Sequence, residues 1–221
     1  MPRCPLLLAL VALPLQAQQA PRWPDTPVVR LEALAVMQTL NAELLASRSA
    51  TRTLEAWCGA HHLAAEPRLV ARPLPDVDRT PSAEQRLRLQ VRDTDTVKYR
   101  HVELRCGSRL LSAAENWYVP SRLTAEMNRL LETTDAPFGR VVESLQPYRQ
   151  TFAVTMLWTP LPADWDSTRA RMPASRGGVL AIPDALFEHR ALLYTADHLP
   201  FAEVAETYRR DLLAFPPPPL R

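Results

Sequence analysis

The 221-residue sequence is poor in glycine and lysine, and each shortage argues against a class of protein. Five glycines stand against 22 prolines, which excludes collagen and an enzyme built on several glycine-rich phosphate-binding turns. Lys98 is the single lysine among 26 basic residues, so Schiff-base chemistry would have one candidate. The net charge is only +2, and we therefore expect no nucleic-acid partner.

Cysteine is also scarce, and the spacings typical of metal ligands are missing. The sequence contains no CxxC, HxxxH or HExxH, and the adjacent His61 and His62 would point in different directions on a helix or a strand. We therefore expect no metal site. Of the three cysteines, Cys58 and Cys106 would remain if Cys4 were removed with a leader. They could form a disulfide in an oxidising compartment or be two small buried apolar side chains.

The first 17 residues have the order of a secretory signal peptide. Arg3 precedes an apolar run over 6–13, Pro14 interrupts it, and the small residue Ala17 follows. The run is too short to cross a bilayer as a mature helix, so we expect no stable membrane span. This pattern predicts a periplasmic or secreted protein. The alternative is a cytoplasmic protein whose start codon has been assigned too far upstream.

The rest of the chain has the composition of one globular domain. Hydrophobic residues make up 47% and charged residues 23%, which argues against extensive disorder. Prolines at 21, 24 and 27 predict an extended lead-in over 18–29. A single domain is predicted over 30–215, followed by a proline-rich tail over 216–221.

Hydrophobic periodicity predicts an α+β fold, with helices packed against an antiparallel β-sheet. Apolar residues at helical spacing indicate helices, and polar–apolar alternation between turn residues indicates strands. The predicted helices cover 30–46, 50–58 and 121–132, with a short helix from Pro137 to Leu145. The predicted strands cover 68–74, 86–92, 97–106, 109–119, 151–158, 189–196 and 201–212.

Six segments in order, between about residues 45 and 211, resemble the chorismate lyase family. They also resemble, more distantly, the UTRA effector-binding domain that shares its fold. The segments include a Ser-x-Thr helix start at Ser49, a Pro-hydrophobic-Gly turn at Pro137 and a final strand that carries a glutamate. They are residues 49–55, 99–104, 114–120, 136–140, Arg149 and 200–208. This resemblance implies a chorismate lyase-like fold.

The resemblance also implies a reaction and a set of site residues. Chorismate lyases eliminate pyruvate from chorismate, leave 4-hydroxybenzoate and use no cofactor. Arg100 would pair with a substrate carboxylate, and Glu206 would act as the acid or hydrogen-bond partner at the ether oxygen. Phe138 and Gly139 would bring backbone close to the ligand, and Arg149 would be a second carboxylate clamp. The expected partner is thus a small aromatic or carboxylic acid, bound by a monomer.

Two alternative functions remain open at this point. Glu115 stands where the bacterial lyases carry an arginine and looks more like the UTRA pattern, so the protein could bind a ligand without turnover. It could also be an interaction protein of the cell envelope that uses the proline-rich loops. On the residues alone, Arg100 could face solvent and Glu206 could be an ordinary surface charge.

We predict that residues 1–17 are removed on export, because a short apolar run followed by a small residue is the pattern that signal peptidases cleave. N-terminal sequencing of protein isolated from an envelope fraction should begin near Gln18. Recovery of the protein from the cytosol with Met1 intact would contradict this prediction.

Overall fold

The structure, a computed structural model, describes residues 22–74, 79–167, 171, 174–175 and 177–219. The predicted leader at 1–17 lies outside the described residues, as do the start of the lead-in and the end of the tail. The remaining lead-in packs as part of the domain. Trp23 is 1% exposed, and its Nε1 donates to the carbonyl of Leu213 at 2.9 Å.

Most helices begin where a side-chain oxygen caps the first turn. The Thr26 hydroxyl accepts the N–H of Val29, and Pro27, which suits the first turn, starts α1 earlier than the predicted residue 30. The Ser49 hydroxyl caps the next helix by accepting the N–H of Arg52. The helices are α1 (Pro27–Ala46), α2 (Ala50–Ala60), α3 (Ala83–Arg88), α4 (Ala125–Thr133) and α5 (Phe138–Val141), with 3₁₀ turns at Pro120–Arg122, Glu143–Leu145 and Arg210–Leu213.

Six antiparallel strands form one sheet, which confirms the predicted α+β class. The strands are β1 (Leu69–Pro73), β2 (Lys98–Cys106), β3 (Arg109–Tyr118), β4 (Tyr148–Met156), β5 (Ala185–Tyr194) and β6 (Pro200–Arg209). Their order across the sheet is β1-β2-β3-β6-β5-β4. Strand β6 ends before the predicted residue 212, because the chain enters the 3₁₀ turn at Arg210, where the Asp211 carboxylate accepts the N–H of Leu110 at 2.9 Å.

The predicted strand over 86–92 is wrong, because this segment contains the end of helix α3. Ser82 and Gln85 form a capping box, in which each side chain accepts the backbone N–H of the other residue. Leu87 and Leu89 alternate with arginines, but Leu87 is 77% exposed and Leu89 is fully buried. Alternation over so short a run does not distinguish a strand from one helical turn.

Different helices pack on the two faces of the sheet. Helices α1 and α2 pack on one face through a large apolar cluster that includes Met37, Leu44 and Leu54. Apolar residues of α4 and α5 pack against β5 and β6 in a second cluster around Phe138 and Phe201. A small cluster at Leu89 places α3 on the opposite face. Within the part of the chain that the structure describes, no helix has the length and hydropathy needed to cross a membrane.

A disulfide joins Cys58 near the end of α2 to Cys106 at the end of β2. Both cysteines are fully buried, and their Cα atoms lie 6.6 Å apart. The bond closes a loop with a sequence separation of 48 residues. It therefore ties helix α2 to the sheet at the end opposite its first turn.

We predict that replacing both cysteines with serine, Cys58→Ser with Cys106→Ser, lowers the free energy of unfolding by about 4 kcal/mol, as expected for loss of a cross-link closing a loop of this length. Urea denaturation of the oxidised protein and the double variant measures this loss. Reductant should destabilise the wild type and leave the variant unchanged. Equal stabilities without reductant would contradict the prediction.

Candidate functional site

A cavity of about 570 Å³ lies between the sheet and the helices that cover it. Its apolar lining comes from alternate positions of four strands, so these side chains share one face of the sheet. They are Val102 and Leu104 of β2, Ala114 of β3, Leu193 of β5 and Val204 of β6. The volume falls in the range of sites that hold small organic molecules.

A buried ion pair interrupts this apolar lining. Arg149 at the start of β4 extends across β5 to Glu206 of β6, and its Nη2 lies 2.6 Å from Oε2 of the carboxylate. The two side chains are only 4% and 8% exposed. The Tyr208 hydroxyl donates to the same Oε2 at 3.0 Å. The pair thus places a nearly desolvated, hydrogen-bonding group in the cavity wall.

Burial, charge and hydrogen bonding shift the pKa values of Arg149 and Tyr208. Burial has the largest single effect on Arg149 and lowers its pKa, but interactions with Glu206 and Tyr208 together raise the pKa above its ordinary value. Burial, with the nearby carboxylate, raises the pKa of Tyr208 well above its ordinary value. The arginine therefore stays charged and the phenol stays a hydrogen-bond donor at neutral pH.

His189 of β5 lies directly opposite Glu206 in the sheet register and is fully buried. Its Nε2 is 2.8 Å from Oδ1 of Asn41, an acceptor, so Nε2 carries the proton. Its Nδ1 is buried without a hydrogen-bond partner among the described residues. Burial and the charge of Arg149 lower the pKa of His189 to about 4, against the opposing effect of Glu206. His189 is therefore neutral at neutral pH. It adds no charge next to the Arg149–Glu206 pair.

The structure brings four of the five sequence-predicted site residues to this cavity. Phe138, Gly139, Arg149 and Glu206 all line it. Arg100 does not, although it shares the inner face of β2 with Val102. The expectation that Arg100 and Glu206 face one cavity is therefore wrong, and the arginine beside Glu206 is Arg149.

Arg100 is held away from the cavity by the loop before α5. Its Nη2 donates to the carbonyl of Ala136 at 3.1 Å, while Nη1 is buried without a partner among the described residues. The side chain is also not solvent-facing, since Arg100 is 8% exposed and burial lowers its pKa. The strand alternation gives the correct face for Arg100 but not its position relative to the cavity.

Gly139 allows a close approach between α5 and the start of α2. A Cβ atom added at this position would lie 2.8 Å from Oγ1 of Thr51 and 3.2 Å from Oγ of Ser49. A larger residue would thus push α5 away from the first turn of α2. The two helices that form the outer wall of the cavity depend on this glycine for their packing.

The connection between α1 and α2 and the first turn of α2 supply cavity residues that the sequence prediction missed as site residues. Ser47, Arg48, Ser49, Thr51 and Arg52 all line the cavity. Thr51 is 6% exposed, and its hydroxyl has no hydrogen-bond partner among the described residues. The free N–H groups and dipole of a helix N-terminus favour an anion. The Ser-x-Thr helix start is the sequence feature that could have indicated these residues. However, this feature indicates a helix N-cap as readily as a binding site.

No group of three or more His, Cys, Asp or Glu side chains in the described ranges is arranged to hold a metal ion.

Comparison with known sequences finds a relative that aligns with most of the chain. The chain is 48% identical over 210 residues to the uncharacterized protein y4mC of Sinorhizobium fredii strain NBRC 101917 / NGR234, covering 95% of this chain and 87% of the relative. The chain belongs to the y4mC family. No protein-family model matches it.

Similar solved structures include transcriptional regulators and their effector domains. The effector domain of PhnF from Mycobacterium smegmatis aligns with a TM-score of 0.44 and 16% identity over 74% of this chain and 89% of that domain. The whole PhnF protein gives 0.47 and 15%, over 76% of this chain and 66% of PhnF. The possible transcriptional regulator YydK from Bacillus subtilis gives 0.41 and 14%, over 65% of this chain and 58% of YydK. Similarity at these TM-scores carries no conclusion about function.

We predict that His189 makes the protein less stable as the pH falls from about 6.5, the unfolded-state pKa, toward 4. Because the folded-state pKa is lowered to about 4, the unfolded chain binds the proton first, and the stabilisation is complete only above pH 6.5. The full loss is about 3–4 kcal/mol, from a difference of about 2.5 pKa units at about 1.4 kcal/mol per unit.

Urea denaturation at several pH values measures this dependence, and His189→Asn should flatten it. The exposed His62 provides the control His62→Asn, which should keep the wild-type slope. An unchanged slope in His189→Asn would show that another group causes the acid sensitivity.

Proposed function

We propose that this protein binds a small organic anion, of the size of an aromatic carboxylic acid, in the cavity between α2, α5 and the sheet. The observation that carries the proposal is the buried Arg149–Glu206 pair in a cavity of about 570 Å³ whose floor on the sheet is otherwise mostly apolar, with Asn116 as a further polar side chain. Binding sites for small molecules combine an apolar concave surface with a few placed polar groups. The order of chorismate lyase-like and UTRA-like segments along the sequence supports the same function.

The two ends of the cavity suit the two ends of such a ligand. The inner end holds a compensated ion pair, which favours a neutral hydroxyl that can donate to Glu206. The outer end combines the N-terminus of α2, the Thr51 hydroxyl and Arg48, which suits a carboxylate. An aromatic ring between them would lie on Val102, Leu104 and their neighbours. In this orientation 4-hydroxybenzoate fits the chemistry at both ends.

Turnover of chorismate is the second candidate function. It is favoured by one observation, namely that Glu206, which lines the cavity, accepts a hydrogen bond from Tyr208, and an elimination needs a hydrogen-bonding group near the ether oxygen. Incubation with chorismate, followed by the absorbance of 4-hydroxybenzoate, tests it. If the wild type releases 4-hydroxybenzoate and Glu206→Gln does not, Glu206 takes part in catalysis. If the wild type releases none, ligand binding without turnover remains the proposed function.

We also propose that the protein acts in the periplasm or outside the cell. The buried disulfide supports this location, because structural disulfides persist in oxidising compartments and are rare in the cytosol. The N-terminal sequencing described above is its test.

Titration calorimetry with 4-hydroxybenzoate tests the binding site, and we predict that two substitutions weaken binding about tenfold. Thr51→Val removes one hydroxyl with little change of shape, and Glu206→Gln removes the inner charged acceptor. Each loses roughly one hydrogen bond to a charged group, about 1.5 kcal/mol.

Glu203→Gln is the matched control, because Glu203 lies on the same strand, is fully buried and faces the opposite side of the sheet. It should bind like the wild type if it folds, which circular dichroism of all variants checks. Equal affinity of Thr51→Val, Glu206→Gln and the wild type, or no binding to the wild type, would reject this site.

A further inference from the structure

An ion pair between Arg52 and Glu143 lies at the mouth of the cavity. Arg52 belongs to the first turn of α2, and Glu143 begins the 3₁₀ turn after α5. Both residues line the cavity, yet their side chains are 71% and 48% exposed. Residues that border a cavity and also face solvent mark its opening. The pair therefore connects the two outer walls at the entrance.

The pair opposes an acidic ligand in two ways. A ligand carboxylate at the first turn of α2 would approach Glu143, a second negative charge, and the like charges repel. The guanidinium of Arg52 would be the natural partner of that carboxylate, but Glu143 already occupies it. The Arg149–Glu206 pair is self-compensated, and Arg48 has no ion-pair partner among the described residues. Glu143 is thus the carboxylate that an incoming anion meets first.

Breaking the pair would not open the fold. Exposed ion pairs contribute little to stability, and the same two walls are joined by other contacts. Arg140 of α5 pairs with Glu55 of α2, whose side chain is 21% exposed. The Glu55 carboxylate also accepts the N–H of Leu69 in β1 at 2.8 Å. The close approach at Gly139 adds to these contacts, so Arg52 and Glu143 can separate while the walls stay in place.

We propose that the Arg52–Glu143 pair is an electrostatic gate that sets the charge preference of the cavity. In the free protein Glu143 holds Arg52. An anionic ligand enters by replacing Glu143 as the partner of Arg52. A neutral ligand of the same shape does not compete with Glu143 for Arg52, so the pair does not affect its binding. This inference rests on the proposed function of anion binding and assigns Glu143 as the residue that limits it.

The test compares 4-hydroxybenzoate with the neutral 4-hydroxybenzamide in titrations of the full chain. Glu143→Gln should bind 4-hydroxybenzoate two- to fivefold more tightly than the wild type does, and 4-hydroxybenzamide with unchanged affinity. Arg52→Gln should weaken binding of 4-hydroxybenzoate, because the ligand carboxylate loses its partner and the unpaired Glu143 still repels it. The control is Glu126→Gln, which removes an equally exposed ion pair with Arg129 on α4, away from the cavity.

The possible results test the proposed gate and the proposed binding site separately. If the wild type and Glu143→Gln bind 4-hydroxybenzoate equally well, the gate is rejected and the binding function stands. An equal gain for the neutral amide also rejects the gate, because the effect would then not depend on ligand charge. If neither protein binds either compound, both the site and the gate are rejected.

Discussion

The candidate site depends on the ion pair that Arg149 and Glu206 form inside the domain. Arg149 lies on the edge strand β4 and Glu206 on β6, so the pair crosses the strand between them. Charges with so little solvent contact are costly to bury, and losing one partner costs about 3–5 kcal/mol because the other is left unpaired. The position of β4 and the polarity of the cavity are both coupled to this one contact.

Strand β6 carries two buried glutamates, and their surroundings distinguish their roles. Glu203 receives two hydrogen bonds from Arg88 at 2.7 and 2.9 Å and one from Arg190 at 2.9 Å. Helix α3 supplies Arg88 and covers this side, so the carboxylate is saturated by protein donors. Glu206 instead faces a cavity. The same residue type on one strand is thus structural on one face and available to a ligand on the other.

Much of the fold could be predicted from local patterns, but the site could be predicted only in part. Alternation in β2 and the helical spacing of α1 identify their elements, because each has one buried side along its length, and the turn at Gly107 and Ser108 identifies β3 as the hairpin partner of β2. Helix α3 is too short for periodicity, and only its Ser82–Gln85 capping box could have indicated it. Arg100 and Arg149 are both buried arginines on strands. Which one reaches Glu206 depends on strand order and on the loop carbonyl at Ala136, and neither is encoded locally.

Helix α2 connects the stability of the domain to the geometry of the site. Its last turns are held to β2 by the disulfide, and its first turn forms the mouth of the cavity. Between these ends, Glu55 binds both β1 and α5. A rigid helix fixed at one end and at its middle positions its N-terminal N–H groups without support from the ligand. Pre-organised donors of this kind lower the entropy lost on binding. The cross-link that stabilises the fold is therefore also a means of holding the N-terminal end of α2, where we propose that the anion binds, in place.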